Sequence, residues 1–61
     1  MLKMKCIQSV ENFEVGKIYE VINNYTSQFE IADGKGGKHC FSKVYDSEYP
    51  NFREFFRLLD S

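Results

Sequence analysis

Hydrophobic and polar residues alternate in two runs near the start of the chain, and such alternation is the signal of a half-buried β-strand. The first run covers residues 2–6 and continues into Ile7. The second covers residues 17–22, which are rich in β-branched and aromatic side chains. Tyr19 and Val21 share one face of this second strand because successive side chains point to opposite faces. The pattern therefore predicts two strands joined by a loop.

The middle of the chain predicts a β-hairpin. Residues 28–32 alternate apolar with polar, and residues 38–45 are the expected partner strand. Residues 33–37 between them carry three glycines. Because glycine tolerates the positive φ angles of tight turns, this segment is expected to form the turn of the hairpin.

The C-terminal pattern has two interpretations. Apolar residues recur there at helical spacing, namely Phe52, Phe55, Phe56 and Leu59. Alternatively, residues 56–59 form a short final strand. In the helical interpretation, Asn51 is the capping residue. We favour a combination in which one helical turn from about residue 50 to 55 is followed by that strand.

The size of the chain limits what the protein can do. With 61 residues, it has room for one domain, and we expect residues 1–61 to form a single, mainly β domain. A large enzyme cleft or a cofactor-binding fold does not fit in this length. Ten aromatic residues, six Phe and four Tyr, supply much of the apolar area that so small a core needs.

Charge and cysteine content narrow the class further. The formal net charge of −1 argues against sequence-independent nucleic-acid binding, which is typical of basic proteins, and against an acidic mimic of DNA. The residues at the start of the chain do not form a secretory signal, so we expect a cytoplasmic protein with Cys6 and Cys40 reduced. A bridge between the two cysteines would require Cα atoms within about 7 Å.

Two short motifs resemble functional sites, a phosphate-binding loop and a His-Cys pair, and for both we favour a purely structural role. Residues 34–38 (Gly-Lys-Gly-Gly-Lys) lack the spacing and the Ser/Thr of a phosphate-binding loop, so they are interpreted as a turn. His39 and Cys40 are adjacent on a strand and point to opposite faces, so they cannot act together. We expect Cys40 in the core, His39 on the solvent side and Cys6 as a small buried residue.

Paired carboxylates occur at two places, Glu11 with Glu14 and Asp46 with Glu48. Acid–base catalysis needs a pocket that separates the pKa values of such a pair. A barrel of this size fills its interior with side chains, and we therefore expect no pocket. The sequence predicts no enzymatic activity, no metal site and no cofactor.

A resemblance supports the β assignment. Residues 5–7 (Lys-Cys-Ile) and 15–21 (Val-Gly-Lys-Ile-Tyr-Glu-Val) resemble the opening of an SH3-like barrel. The closer likeness is to small phage- and prophage-encoded proteins with these two motifs, and it extends over residues 3–44 and 56–59. It implies a small five-stranded SH3-like barrel with a short helical turn near the C-terminus, in which Tyr19 and Val21 enter the core.

The resemblance also implies a role. A small phage-encoded protein of this kind is expected to bind a host bacterial protein, such as a nuclease, a defence complex or a transcription factor, and to inhibit it. Binding of proline-rich peptides, as in other SH3 domains, is not expected, because the chain contains no Trp and has Cys-Ile-Gln at residues 6–8.

Loop aromatics are the best candidates for such an interface. Those in or beside loops are Phe13, Tyr25, Tyr45, Tyr49 and Phe52. Residues 46–51 form a longer segment than a minimal barrel needs, so we expect the segment and its flanking aromatics to be exposed, dispensable for folding and required for binding. The expected partner-binding residues are Tyr45, Asp46, Glu48, Tyr49, Phe52 and Arg53.

The alternative is a barrel that binds nucleic acid. The lysines that could gather on one side are Lys3, Lys5, Lys17, Lys35, Lys38 and Lys43. Lys35, Lys38 and Lys43 would then contact phosphates, while neighbouring aromatics stack on bases.

Overall fold

The computed structural model describes residues 2–45 and 47–59 and shows one antiparallel β-sheet that curls into a half-barrel. The order of strands across the sheet is β4-β3-β2-β1-β5. The elements are β1 (Lys3–Cys6), β2 (Ile18–Asn24), β3 (Gln28–Ala32), β4 (Lys38–Ser42), a 3₁₀ turn (Phe52–Glu54) and β5 (Phe56–Leu59). The predicted fold class, a small mainly β barrel of five strands with a helical turn near the C-terminus, is confirmed.

The alternation in β1 and β2 separates the core from solvent as the sequence predicts. Met4 and Cys6 on β1 are fully buried, and Tyr19 and Val21 on β2 are 8% exposed. Their neighbours on the opposite face, such as Ile18, remain exposed. One face of the sheet therefore lines the half-barrel, and the other faces water.

Phe13 fills the centre of the half-barrel, although it lies in the loop between β1 and β2. Its ring meets those of Tyr19, Phe56 and Phe41 edge-to-face, with centroids 4.7, 5.0 and 5.8 Å apart. The loop is held in place because the Phe13 N–H donates to the carbonyl of Val10 at 2.8 Å. Edge-to-face pairs add about 0.5–1.5 kcal/mol each beyond burial of area, so this loop residue ties three strands together.

The predicted hairpin of β3 and β4 forms, but β4 ends at Ser42 rather than at residue 45. The Ser42 hydroxyl accepts from the Val44 N–H at 3.0 Å and donates to the Val44 carbonyl at 2.6 Å. A side chain that satisfies backbone groups two residues on gives the chain an alternative to the sheet ladder. This local bond ends the strand.

The C-terminal segment combines a helical turn and a strand, as predicted. The Asn51 side chain caps the 3₁₀ turn by accepting from the Arg53 N–H at 2.9 Å. β5 then pairs with β1, with Phe56 opposite Cys6. Within the described residues, no helix has the length and apolar content needed to cross a membrane.

Candidate functional site

The segment between β4 and the 3₁₀ turn exposes large apolar side chains. We call residues 43–45 and 47–50 the aromatic loop. Tyr45 is 76% exposed, and Val44 and Tyr49 are each 49% exposed. Burial of such side chains is a main source of free energy in protein association. Their exposure on one short segment identifies the aromatic loop as a candidate contact surface.

Arg53 connects the aromatic loop to the body of the protein. Its guanidinium lies 4.7 Å from the centre of the Phe52 ring and 5.9 Å from that of Tyr45. It also donates a hydrogen bond to the carbonyl of Lys43 at 3.1 Å. An arginine between two rings combines cation–π contact with a fixed direction for its donors. Arg53 therefore restrains the loop while Tyr45 stays accessible to solvent.

Phe52 belongs to the core, so the expectation that it is an exposed anchor is wrong. It is 6% exposed, and its ring packs edge-to-face on that of Phe29 at 5.0 Å. Asn51 is also 6% exposed. The 3₁₀ turn directs Phe52 inward and leaves Arg53 outside. The end of the long segment is thus part of the folded core and is not dispensable for folding.

The remaining predicted interface residues have different positions. Glu48 is exposed beside Tyr49 in the aromatic loop. Asp46 lies outside the described residues. Tyr45, Glu48, Tyr49 and Arg53 therefore form the part of the predicted surface that the structure places at the exterior.

A second cluster of polar groups surrounds Asp33, which is 3% exposed. Its Oδ1 accepts from the N–H groups of Lys35 and Gly37 at 2.7 and 2.9 Å. Its Oδ2 accepts from the amide of Asn12 at 3.1 Å and lies 3.0 Å from Nε2 of His39. One carboxylate thus closes the β3–β4 turn and fastens it to the loop after β1.

These contacts lower the pKa of the Asp33 carboxyl well below its usual range, with the Lys35 N–H as the largest cause. The hydrogen bonds from His39, Asn12 and Gly37 act in the same direction, and burial opposes them. A carboxylate held ionised by this many donors is poorly suited to take up a proton at neutral pH. The cluster is therefore a structural one. The sequence pattern identifies Asp33 only as part of the turn at residues 33–37 and gives no sign of its contact with Asn12.

His39 and Cys40 occupy the reverse of the predicted faces. His39 lies opposite Ile31, which is fully buried, and its ring packs on Phe13 with centroids 5.3 Å apart. Cys40 lies opposite Glu30, and both are half-buried. Because Phe41 takes the adjacent place in the core, the strand alternation puts Cys40 on the outer face.

Both cysteines are free thiols. Cys6 is fully buried, as predicted, and burial raises the pKa of its thiol. Burial also raises the pKa of Cys40, and the charge of Glu30 adds to this effect. Since the thiolate is the reactive form, neither side chain has the environment of a nucleophile.

A surface groove of about 350 Å³ lies along β4, which corrects the expectation of no pocket. The groove is open to solvent, since Lys38, Tyr49 and Pro50 in its lining are exposed. Glu11 lines this groove, and its backbone is in the left-handed region (φ 49°). Glu14, which the sequence suggested as its partner carboxylate, forms an ion pair with Lys17 at 2.5 Å. The residues around the groove are Val10, Glu11, Lys38, His39, Cys40, Phe41, Tyr49 and Pro50.

The lysines proposed for nucleic-acid binding do not form one group. Lys35 and Lys38 lie at the turn end of β4, whereas Lys43 follows the other end. The Lys43 ammonium lies over the ring of Phe29, 4.5 Å from its centre, and donates to the Asn24 side chain. Lys3 and Lys5 lie on the outer face of β1, with Lys5 opposite Arg57.

Within the described ranges 2–45 and 47–59, no three His, Cys, Asp or Glu side chains lie close enough together to bind a metal ion. Comparison of the chain with protein-family models, curated proteins and solved structures gives no match. The interpretation of the surface therefore depends on its chemistry.

Proposed function

We propose that the protein is a non-catalytic binding module that docks on another protein through the aromatic loop and Arg53. The observation that carries the proposal is the 76% exposure of Tyr45 beside a guanidinium that restrains it. Tyr and Arg are enriched among the residues that dominate binding energy at interfaces. Glu48 and Tyr49 extend this surface along the loop.

The construction of the loop favours tight binding. Association is weakened when side chains and loops must be ordered at the interface. Here the chain is pinned on both sides of the exposed residues, by Ser42 before them and by the capped 3₁₀ turn after them. The aromatic loop therefore has fewer conformations in the free protein, and less entropy is lost when a partner binds it.

The resemblance to small phage-encoded proteins supports a host bacterial protein as the partner. In this proposal, the protein acts in the host cytoplasm and inhibits its partner by covering a functional surface. Inhibition by steric cover needs no catalytic group.

The experiment is affinity capture from bacterial lysate with three baits. The wild-type chain is expected to retain a specific partner at submicromolar bait, and the double variant Tyr45→Ser/Tyr49→Ser is expected to lose it. Tyr25→Ser is the matched control, since Tyr25 is 46% exposed but lies between β2 and β3. Absence of a partner for the wild type, or equal capture by the double variant, would contradict the proposal.

A second candidate function rests on the basic side chains of β1 and β5. Lys5 and Arg57 are cross-strand neighbours on the outer face, and Lys3 lies two residues from Lys5. Such a row could contact phosphates. Binding to single- and double-stranded oligonucleotides at two salt concentrations tests it, because phosphate contacts weaken strongly as salt rises. If the protein instead docks on another protein through the aromatic loop, we expect no salt-dependent binding to these oligonucleotides.

A further inference from the structure

β4 is an edge strand, and every second residue along it directs its backbone groups away from the sheet. The Lys43 N–H donates to the carbonyl of Ser27, and the Asp33 N–H donates to the carbonyl of Gly37. With the observed register, these two bonds show which residue pairs of the β3–β4 ladder are hydrogen-bonded. Hydrogen-bonded and non-hydrogen-bonded pairs alternate in an antiparallel ladder. The N–H and C=O groups of Lys38, Cys40 and Ser42 therefore point outward along the edge.

One of these outward groups, the N–H of Ser42, is paired within the chain, and the pairing does not continue along β4. The Ser42 N–H donates to the carbonyl of Pro50 at 2.8 Å, and Ser42 forms a parallel bridge with Asn51. The next rung of such a ladder would need an N–H from residue 50 for the Cys40 carbonyl. Proline has no N–H. Within residues 2–45 and 47–59, the outward groups of Lys38 and Cys40 consequently have no backbone partner.

The groove described above lies against this unpaired edge. Tyr49 and Pro50 form an apolar end where the intrachain ladder stops, and Lys38 provides a cation near the turn. Among the described residues, Lys38 forms no ion pair. The groove thus offers backbone hydrogen bonds along its length, an apolar contact at one end and the ammonium of Lys38 at the other. Glu11 also lines the groove, so the acidic side chain of a partner must lie against Lys38 and away from Glu11.

We propose that this groove binds an extended segment of the partner protein, which adds as a strand to the edge of β4. The segment carries an acidic side chain for Lys38 and an apolar side chain for Tyr49 and Pro50. The inference rests on the proposed function and names its mode of recognition. Strand addition obtains affinity from main-chain hydrogen bonds and specificity from alternate side chains.

Charge favours a foreign segment over a second copy of this chain. The two edge strands of this chain are β4 (Lys38–Ser42) and β5 (Phe56–Leu59), and neither contains an acidic residue. A second copy that paired through either strand would therefore bring no carboxylate on that strand to Lys38. An acidic residue of a partner segment complements Lys38, because opposite charges on paired strands are stabilising.

The test uses random octapeptides displayed on yeast, selected against the wild-type chain, and then the enriched octapeptide made synthetically. Cys40→Pro removes the outward N–H of Cys40 and leaves the hydrogen bonds to β3 in place. We expect this variant to bind the octapeptide at least about tenfold more weakly. Cys40→Ala, the matched control, changes the same side chain but keeps the N–H, and it should bind like the wild type.

Amide hydrogen exchange in the wild type provides a readout that does not depend on a variant. In the free protein, the Lys38 and Cys40 amides should exchange fast while those of His39 and Phe41 are protected. The bound octapeptide should slow exchange at Lys38 and Cys40. This pattern is specific to strand addition, since side-chain contact alone would not protect alternate amides.

The peptide, exchange and sedimentation experiments have four outcomes that would overturn the inference. They are no enriched peptide, equal binding to Cys40→Pro, unchanged exchange at Lys38 and Cys40, and sedimentation of the wild type as a dimer that Cys40→Pro dissociates. The Tyr45→Ser variant separates this inference from the proposed function, because Tyr45 does not line the groove. Capture of a partner that depends on Tyr45 but not on the Cys40 N–H would refute strand addition and leave the proposed function standing.

Discussion

The two connections at the ends of β4 are built in opposite ways. At one end, residues 33–37 form a turn whose backbone donors and neighbouring side chains converge on the buried Asp33 carboxylate. At the other end, the aromatic loop is pinned on both sides by Ser42 and Asn51, and between these points it presents Tyr45 and Tyr49 to solvent. The same strand therefore leads from a turn that stabilises the fold to a loop that is available for contact.

The difference shows how so small a domain can carry an apolar surface. A loop with exposed aromatics contributes little to the folded state, so its ends must be fixed by other residues. Asn51 and the inward-facing Phe52 provide this at the aromatic loop, while Asp33 secures the opposite end of β4. Substitutions are expected to affect stability according to which side of this division they fall on.

The largest effect is expected for Phe52→Ala, at the boundary between the loop and the core. Truncation of a buried Phe costs about 3–5 kcal/mol of unfolding free energy, which is a large part of the stability of a small domain. We expect chemical denaturation followed by circular dichroism to show a mostly unfolded chain. A variant that melts like the wild type would show that the loop extends through residue 52.

The next largest effect is expected for Gly37→Ala, in the turn. A Cβ at this position would overlap Oδ2 of Asp33 and approach Nε2 of His39 to 3.2 Å. Overpacking of this kind costs about 1–3 kcal/mol. In an Asp33→Ala background, the overlap with the carboxylate is gone, so the same substitution should cost much less. Additive effects of the two substitutions in thermal melts would argue against direct contact between them.

Acid should weaken the turn through Asp33. A carboxylate whose pKa is lowered by folding stabilises the folded state at pH values above its unfolded-state pKa of about 4. This contribution is lost as pH falls through the lower pKa of the folded state. Asp33→Asn should therefore have a lower Tm than the wild type at about pH 5, and the difference should shrink towards about pH 2. A difference in Tm that is independent of pH over this range would contradict the assignment.

The smallest effect on stability is expected for Tyr45→Ala, in the middle of the aromatic loop. Surface substitutions usually change the unfolding free energy by less than about 0.5 kcal/mol, and Tyr45 is 76% exposed. The Tm should be close to that of the wild type, while capture of the partner is lost. A clear fall in Tm would show that the contact between Tyr45 and Arg53 supports the fold.

The strands could be predicted because their signal is local. Alternation in β1 and β2 identifies Met4 and Tyr19 as core residues without knowledge of their partners. The C-terminal combination of turn and strand was predictable for the same reason, since Asn51 is a capping residue immediately before the 3₁₀ turn. These features depend on neighbours within a few positions.

The contacts that define the sites are not local. Asn12 reaches Asp33 across 21 positions, and no sequence pattern links a loop residue to a turn at that distance. The aromatic count could not show that Phe52 turns inward while Tyr49 stays outside. The prediction for His39 and Cys40 was wrong, but the sequence contains the signal that corrects it. Phe41 is the larger apolar residue and belongs in the core, and the alternation of the strand then places Cys40 outside.

The position of β1 between β2 and β5 has a consequence for how the protein is made. Lys3, near the start of the chain, pairs with Leu59, near its end. Pairings between residues so distant in sequence slow folding. β5 is the last of the five described strands to leave the ribosome, so the nascent chain carries Met4 and Cys6 on a β-strand with one unpaired side until β5 has emerged. A chain that stops before Phe56 should therefore show no cooperative melting transition.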